Sequence, residues 1–502
     1  MKKLKLSLLM VVVVGLSGLL MTACSDMLEP EVYGDLTPDT FFSSESDFDQ
    51  AVVALYSPFT SDWGFSDPGD NVWSAALYNA DPKSYLGQSM VTTDEMYAPD
   101  HAVFNNFTWG PATFTMEGNV FAATYIKSRF IARATDVIEQ IETSEADVPQ
   151  DVRDRYVAQA RTLRAWLMFS IYDFHGPVPV KLDPETLHDT EINPRPSQEE
   201  YVAAMENDLL AAIPNLEEKY NNDAENWGRV SKGTARMILL RLYMHEKDWP
   251  KAEAVARDLM NMGYSLLPNY ADVFHAERNN EMIHAIPAGE GAPNYWVAEV
   301  VPSNYASGIE GLTQPGWNVY YMPWEFYDKF SEEDERRATI VDSYENSRGT
   351  TVSRGNGMQG AIPLKFTQNL TGNPGQGYDF DQPIFRYPEV LLSLAEAIVR
   401  QQGVTGEALA LVEQVRNRAG LDMEGWAGLS SQQFLDALLE ERAREFYGEG
   451  LRRMDLIRHG KFIENARARG VSNAQPHHVL FPIPQTVIVQ SNGIVEQNPG
   501  YN

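Results

Sequence analysis

A helical hairpin written into residues 231–263 constrains the fold of this chain more than any other stretch. Ala235, Ile238, Leu239, Leu242 and Tyr243 recur at the helical period, Lys247-Asp248-Trp249-Pro250 interrupts it, and Ala252, Val255, Ala256 and Leu259 resume it. Small alanines where paired helices meet, with aromatics filling the flanks, are how tetratricopeptide hairpins pack. Comparable pairs are predicted at 386–401 with 405–418, at 430–448 with 451–459, and at 120–141 with 151–174. Gly176, Pro177 and Pro179 end the last of these, because proline lacks a backbone donor and fixes φ. A shorter helix is expected over 47–56 with Ser46 as N-cap. Another is expected over 201–213, where Ser197 and Glu200 are spaced as a capping box. No fixed repeat length is visible, so the pattern describes a mostly α protein with about four tetratricopeptide-like hairpins and large insertions.

Those insertions occupy residues 57–118 and 264–382. They are rich in Gly, Pro, Asn, Asp and aromatics and carry no sustained helical period. Loops this long in a compact protein are usually functional. Brief strand-like pieces at 282–285 and 362–366 predict small hairpins only.

The N-terminus reads as an export signal. Lys2, Lys3 and Lys5 precede an apolar run from Leu6 to Met21, followed by Thr22, Ala23 and Cys24, the chain's single cysteine. A lone cysteine directly after Ala23 is what a bacterial lipoprotein signal requires, since its thiol accepts a diacylglyceryl group before cleavage. Met21 stands where such signals usually carry Leu. The expected organisation is a signal peptide over 1–23, a lipid-anchored tether over 24–36 and one large domain over 37–502, outside the cytoplasm. With Cys24 acylated, no thiol remains for a disulfide, a nucleophile or a metal. Loss of residues 1–23 removes three lysines, leaving 37 basic against 70 acidic side chains. Such a surface repels nucleic acid and anionic headgroups.

The C-terminal third carries an ordered set of motifs. They are Arg386-Tyr387-Pro388-Glu389-Val390-Leu391-Leu392, Val415-Arg416-Asn417-Arg418-Ala419-Gly420-Leu421, and Glu441-Arg442-Ala443-Arg444-Glu445-Phe446 with Glu449-Gly450. Asp455-Leu456-Ile457-Arg458-His459-Gly460, Phe481-Pro482-Ile483-Pro484 and Gln497-Asn498-Pro499-Gly500-Tyr501 follow. With Leu36-Thr37-Pro38, Leu163-Arg164-Ala165 and Gly228-Arg229-Val230 upstream, the chain resembles the SusD/RagB family from Cys24 to its end. Thr135, where an Asn is expected, and Pro177, where an acid or Gly is commoner, depart from the pattern. The resemblance implies a SusD-like fold, in which helical hairpins support an irregular loop and small-hairpin binding subdomain. It also implies a non-enzymatic, surface-exposed, outer-membrane lipoprotein. Such a protein binds an oligosaccharide and delivers it to a SusC-like TonB-dependent transporter. A tetratricopeptide-type scaffold for peptides or proteins is the alternative.

The residues themselves offer little catalytic chemistry. Glu440, Glu441, Glu445 and Glu449 could suggest a glycosidase pair, yet Glu440 to Arg444 and Asp455 to Arg458 have the spacing of ion pairs along a helix. His477 and His478 are adjacent and seldom could both reach one metal. No cofactor is expected. A structural calcium ion among the loop acids is conceivable, although no loop has EF-hand spacing.

Pyranose rings present apolar C–H faces that stack on Trp and Tyr, and hydroxyls that need amide or charged side chains. Both insertions combine these types. Trp73, Tyr78, Trp296 and Trp317 are the expected stacking residues, with Asn71 and Asn318 as polar partners.

Overall fold

The computed structural model describes residues 42–61, 65–66, 73–114, 121–289, 292–306, 316–366 and 379–501, with 65–66 and 73–74 described by their backbone alone. The signal segment, Cys24 and the tether lie outside these residues, as does Asn71.

Helices form the frame. α1 (Glu45–Ala54) begins two residues earlier than expected and is capped by Ser44 rather than Ser46, because Ser44 accepts the Asp47 N–H while Asp47 Oδ2 accepts from the Ser44 hydroxyl. α2 (Tyr85–Val91) follows in the first insertion. Of the helix predicted at 120–141, the α-helical part is α3 (Arg129–Thr143), entered by a 3-10 turn at Tyr125–Ser128. α4 (Gln150–His175) is buried along most of its length and ends at Gly176, whose φ of 69° suits glycine. α5 (Gln198–Ala212) starts with the expected Ser197–Glu200 capping box. Arg164 ties these three helices together: it holds Asp208 of α5 with two bonds of 2.8 and 2.7 Å and donates to Thr135 of α3 at 2.8 Å. Thr135 thus serves as a polar anchor at the position that departs from the family pattern.

The hairpin legible at 231–263 is α6 (Lys232–Glu246) and α7 (Trp249–Met260). Lys247 adopts the left-handed conformation at the end of α6, and Asp248 caps α7 by accepting the Lys251 N–H. α8 (Tyr387–Gln402) packs on α7 and on α9 (Gly406–Arg418). α10 (Ser431–Phe446), α11 (Arg452–Arg458) and α12 (Phe462–Ala468) complete the frame.

The C-terminal motifs converge inside this frame as ion pairs. Arg386 donates to Glu281 at 2.7 Å, Glu445 at 2.9 Å and Glu449 at 2.6 Å, while Arg418 bonds Glu281 and Glu445. Arg336, fully buried, pairs with Asp334, Glu441 and Glu445. The carboxylates that could suggest catalysis are therefore structural. Asp455 pairs with Arg458 as its spacing predicts. Glu440 instead meets Lys329 and Arg452, and Arg444 turns to Glu441. The Phe481-Pro482-Ile483-Pro484 segment caps the end of α4, with the Phe481 N–H donating to the Phe174 carbonyl and Asn498 bridging the His175 and Phe481 carbonyls.

The second insertion corrects the hairpin expectation. β1 (Met282–Ile286) pairs antiparallel with the distant strand Gln382–Arg386, not with a sequence neighbour. Both are buried throughout, so no alternation marked Gln382–Arg386 as the partner of the strand-like piece at 282–285. The remaining strands are short: β2 (Ile340–Val341) with Ile362–Pro363, and β3 (Ser343–Glu345) with Thr351–Arg354. Among the described residues, no helix is long and apolar enough to cross a membrane.

Candidate functional site

Two of the predicted stacking residues are core residues. Tyr78 is 4% exposed; its ring lies 5.6 Å from that of Trp166, and its hydroxyl accepts the Trp166 indole N–H at 2.8 Å. Trp296 is 1% exposed, donates its indole N–H to the Pro363 carbonyl at 3.0 Å and lies along Tyr320. Neither offers a face to a ligand. Composition could not separate them from surface aromatics, because both loops also send aromatic side chains into the main hydrophobic core.

Trp317 and Asn318 are at the surface. Trp317 is half-buried and stacks on Tyr295 with ring centroids 5.8 Å apart and 17° between planes, while Asn318 is exposed with a φ of 55°. Gly316 makes this possible: a Cβ there would sit 1.7 Å from the Val301 carbonyl oxygen, so only glycine lets the chain pass close enough to present the pair. The Trp73 backbone forms a two-residue antiparallel pair with Phe65–Ser66; its side chain lies outside the described residues.

A cavity of about 630 Å3 lies elsewhere, between loop residues of both insertions and α12. Its wall is an aromatic pair that the sequence reading passed over. The backbones of Tyr97 and Tyr321 exchange two hydrogen bonds of 2.9 and 3.0 Å, which sets their rings side by side at 5.2 Å and 29°. Tyr321 is fixed from the other side as well, because Met322 and Ala361 exchange hydrogen bonds and Gly360 leaves no room for a Cβ against the Tyr321 ring. Trp324 follows at the head of a short helix, its ring covered on one side by the Arg354 guanidinium 5.0 Å away, which Asp328 holds in a two-pronged pair. All three rings are half-buried.

Polar groups surround them. Asn106 and Gln359 are exposed at the mouth, Asn465 comes from the middle of α12 and Arg469 from its C-terminal cap. Asp94 and Lys329 form the floor. Asp94 is buried, yet Arg452 and Lys329 hold its carboxyl well below the ordinary carboxylate range. Its neighbour Glu95 is the opposite case. Burial, reinforced by the Asp94 charge, pushes its pKa well above the usual value. Glu95 is 1% exposed and does not line the cleft, so this carboxyl is out of a ligand's reach. The arrangement can stack and hydrogen-bond a hydroxylated ring. Among the described residues, no cluster of three or more His, Cys, Asp or Glu could hold a metal ion.

A second cavity among α6, α8, α10 and α11 measures only about 90 Å3, and its polar lining is engaged in the Arg241–Glu389 and Arg442–Asp455 pairs.

Comparison with known proteins agrees with this architecture. Residues 316–501 match the model of the SusD family. SusD-like protein P25 of Formosa agariphila is 24% identical over 92% of this chain and 93% of its own length. Starch-binding protein SusD of Bacteroides thetaiotaomicron is 25% identical over 69% of this chain and 73% of its own. The solved structure of surface glycan-binding protein A from Bacteroides thetaiotaomicron, in complex with laminarihexaose, superposes with a TM-score of 0.72 at 24% identity. That match covers 90% of this chain and 99% of the other.

Proposed function

Because the chain belongs to the SusD/RagB family, we propose that it is a lipid-anchored, surface-exposed glycan-binding protein of the outer membrane, without catalytic activity. It captures an oligosaccharide and hands it to a SusC-like TonB-dependent transporter. The observation that carries the reading is the large cleft in which Tyr97, Tyr321 and Trp324 stand half-buried beside amide and charged side chains. Such rings offer the apolar C–H faces of sugars a partner, and the polar rim offers one to their hydroxyls. Trp317 and Asn318, with Trp73 and Asn71, are proposed as further glycan-contacting residues. Cys24 is the proposed lipid attachment site.

A glycan array on the purified protein tests this, followed by calorimetry on the glycans it retains. Binding that Tyr321→Ala weakens supports the reading. An array bare of every glycan, or a sugar product released by the pure protein, would overturn it.

A further inference from the structure

The cations around the cleft are not equivalent. Lys329 is engaged by Glu440 and Asp94, and Arg452 behind it holds the same two carboxylates. Arg469, just past the end of α12, has only neutral acceptors: its Nε donates to Asn465 Oδ1 at 3.3 Å and its Nη2 to the Thr92 carbonyl at 3.0 Å. Among the described residues it forms no ion pair, and its Nη1 makes no hydrogen bond. Burial lowers its pKa to about 10, with Asp94 opposing and Arg452 adding to the effect. A guanidinium that has lost much of its hydration without gaining an anion is in a costly environment, and an anionic ligand group would relieve it. The planar fork of arginine matches the paired oxygens of a carboxylate or a sulfate ester.

We propose that the cleft recognises an acidic oligosaccharide, whose rings rest against Tyr97, Tyr321 and Trp324 while a ring-borne carboxylate or sulfate ester binds Arg469. This rests on the glycan-binding reading above and adds the charge of the ligand to it. The other charged groups facing Arg469 permit it. Asp94 is already neutralised by Arg452 and Lys329, and Glu325 stands exposed at the rim, where water screens it. In a chain of formal charge −30, one unpaired arginine inside an aromatic cleft is a discriminating feature, since the surrounding surface does not attract anions by itself.

The test uses the full-length protein in detergent on an array of oligogalacturonate, alginate, chondroitin sulfate and carrageenan oligosaccharides. Each is printed beside its carboxyl-reduced or desulfated counterpart, so that the two sources of negative charge are distinguished. The expected result is a preference of about tenfold for the charged member of at least one pair, the scale of one charge-assisted contact. Arg469→Gln should abolish that preference, so that charged and neutral members bind alike; Arg469→Lys, which keeps the charge, should retain part of it and guards against a folding defect in the first variant. Equal binding of charged and neutral members, or a preference that survives Arg469→Gln in a folded variant, overturns the proposal. Neutral binding lost in Tyr321→Ala, without any preference for charge, overturns it while the glycan-binding reading stands. Failure to bind any member or any neutral glycan overturns both.

Discussion

Arg452 grips Asp94 with two edges of its guanidinium, Nε to Oδ1 at 2.8 Å and Nη2 to Oδ2 at 3.0 Å. The bond joins the loop that carries Tyr97 to the helical frame at α11, so the position of the cleft wall is set from beneath. Removing one partner of a buried pair leaves the other charge uncompensated. Arg452→Ala is therefore expected to cost about 3–5 kcal/mol in urea unfolding and to weaken glycan binding as well. Full stability in that variant would contradict the role given to the pair.

Stability and binding should separate among the aromatics. Trp296→Ala opens a void in the hydrophobic core and is expected to cost about 3–5 kcal/mol. Tyr321→Ala and Trp324→Ala remove half-buried ring faces, and their principal effect is expected on affinity, about 1–3 kcal/mol or roughly 5–100-fold. Calorimetry for binding and thermal melting for stability distinguish the two classes. Undiminished affinity in both the Tyr321 and Trp324 variants would move the binding surface elsewhere, with Trp317→Ala the next measurement.

Acid should loosen the frame through Glu445. Three arginines (Arg418, Arg386 and Arg336) overcome the penalty of burial and hold its pKa at about 2, against 4.5 for an ordinary glutamate. A folded pKa below the unfolded one means that the unfolded chain binds more protons in between. The stabilisation is thus complete above about 4.5 and is lost as pH falls through about 2. Melting temperature followed from pH 5 downward should decline less steeply in Glu445→Gln, which starts lower, than in the parent protein. Parallel curves would show that Glu445 is not among the groups responsible.

Cys24→Ala should abolish acylation, leaving a precursor or a soluble form in the periplasm. Fractionation with a radiolabelled fatty acid reads this directly, and label persisting in the variant would remove Cys24 as the anchor.

The hairpin at α6 and α7 was legible because every level agrees there: apolar period, a left-handed Lys247 and an Asp248 cap. The Ser197 capping box at α5 was equally plain. Boundaries slipped where side chains rewrote them locally, as at α1, where Asp47 bonds back to Ser43 and Ser44. The site was harder to read. Tyr78 and Trp296 resemble ligand-facing aromatics in composition, and only three-dimensional packing puts them under Trp166 and against Tyr320. Tyr97 and Tyr321 come from separate insertions, joined by two backbone hydrogen bonds that no local pattern announces. Small residues offered one faint signal: Gly360 must be a glycine because the Tyr321 ring and the Met322 carbonyl occupy the space a Cβ would need.

The pairing of β1 with Gln382–Arg386 has an evolutionary consequence. It returns the chain to the foot of α8 at the place where it left the frame, so residues 287–381 form an excursion whose two ends are fixed together. The entropy of closing such a loop grows only slowly with length, by about 0.6 kcal/mol for each doubling. Insertions, deletions and exchanges can therefore accumulate in its exposed turns while the clasp and the buried Arg336 and Trp296 hold, and a lineage of such proteins can acquire new ligands by rewriting the surface around Tyr321 and Trp324.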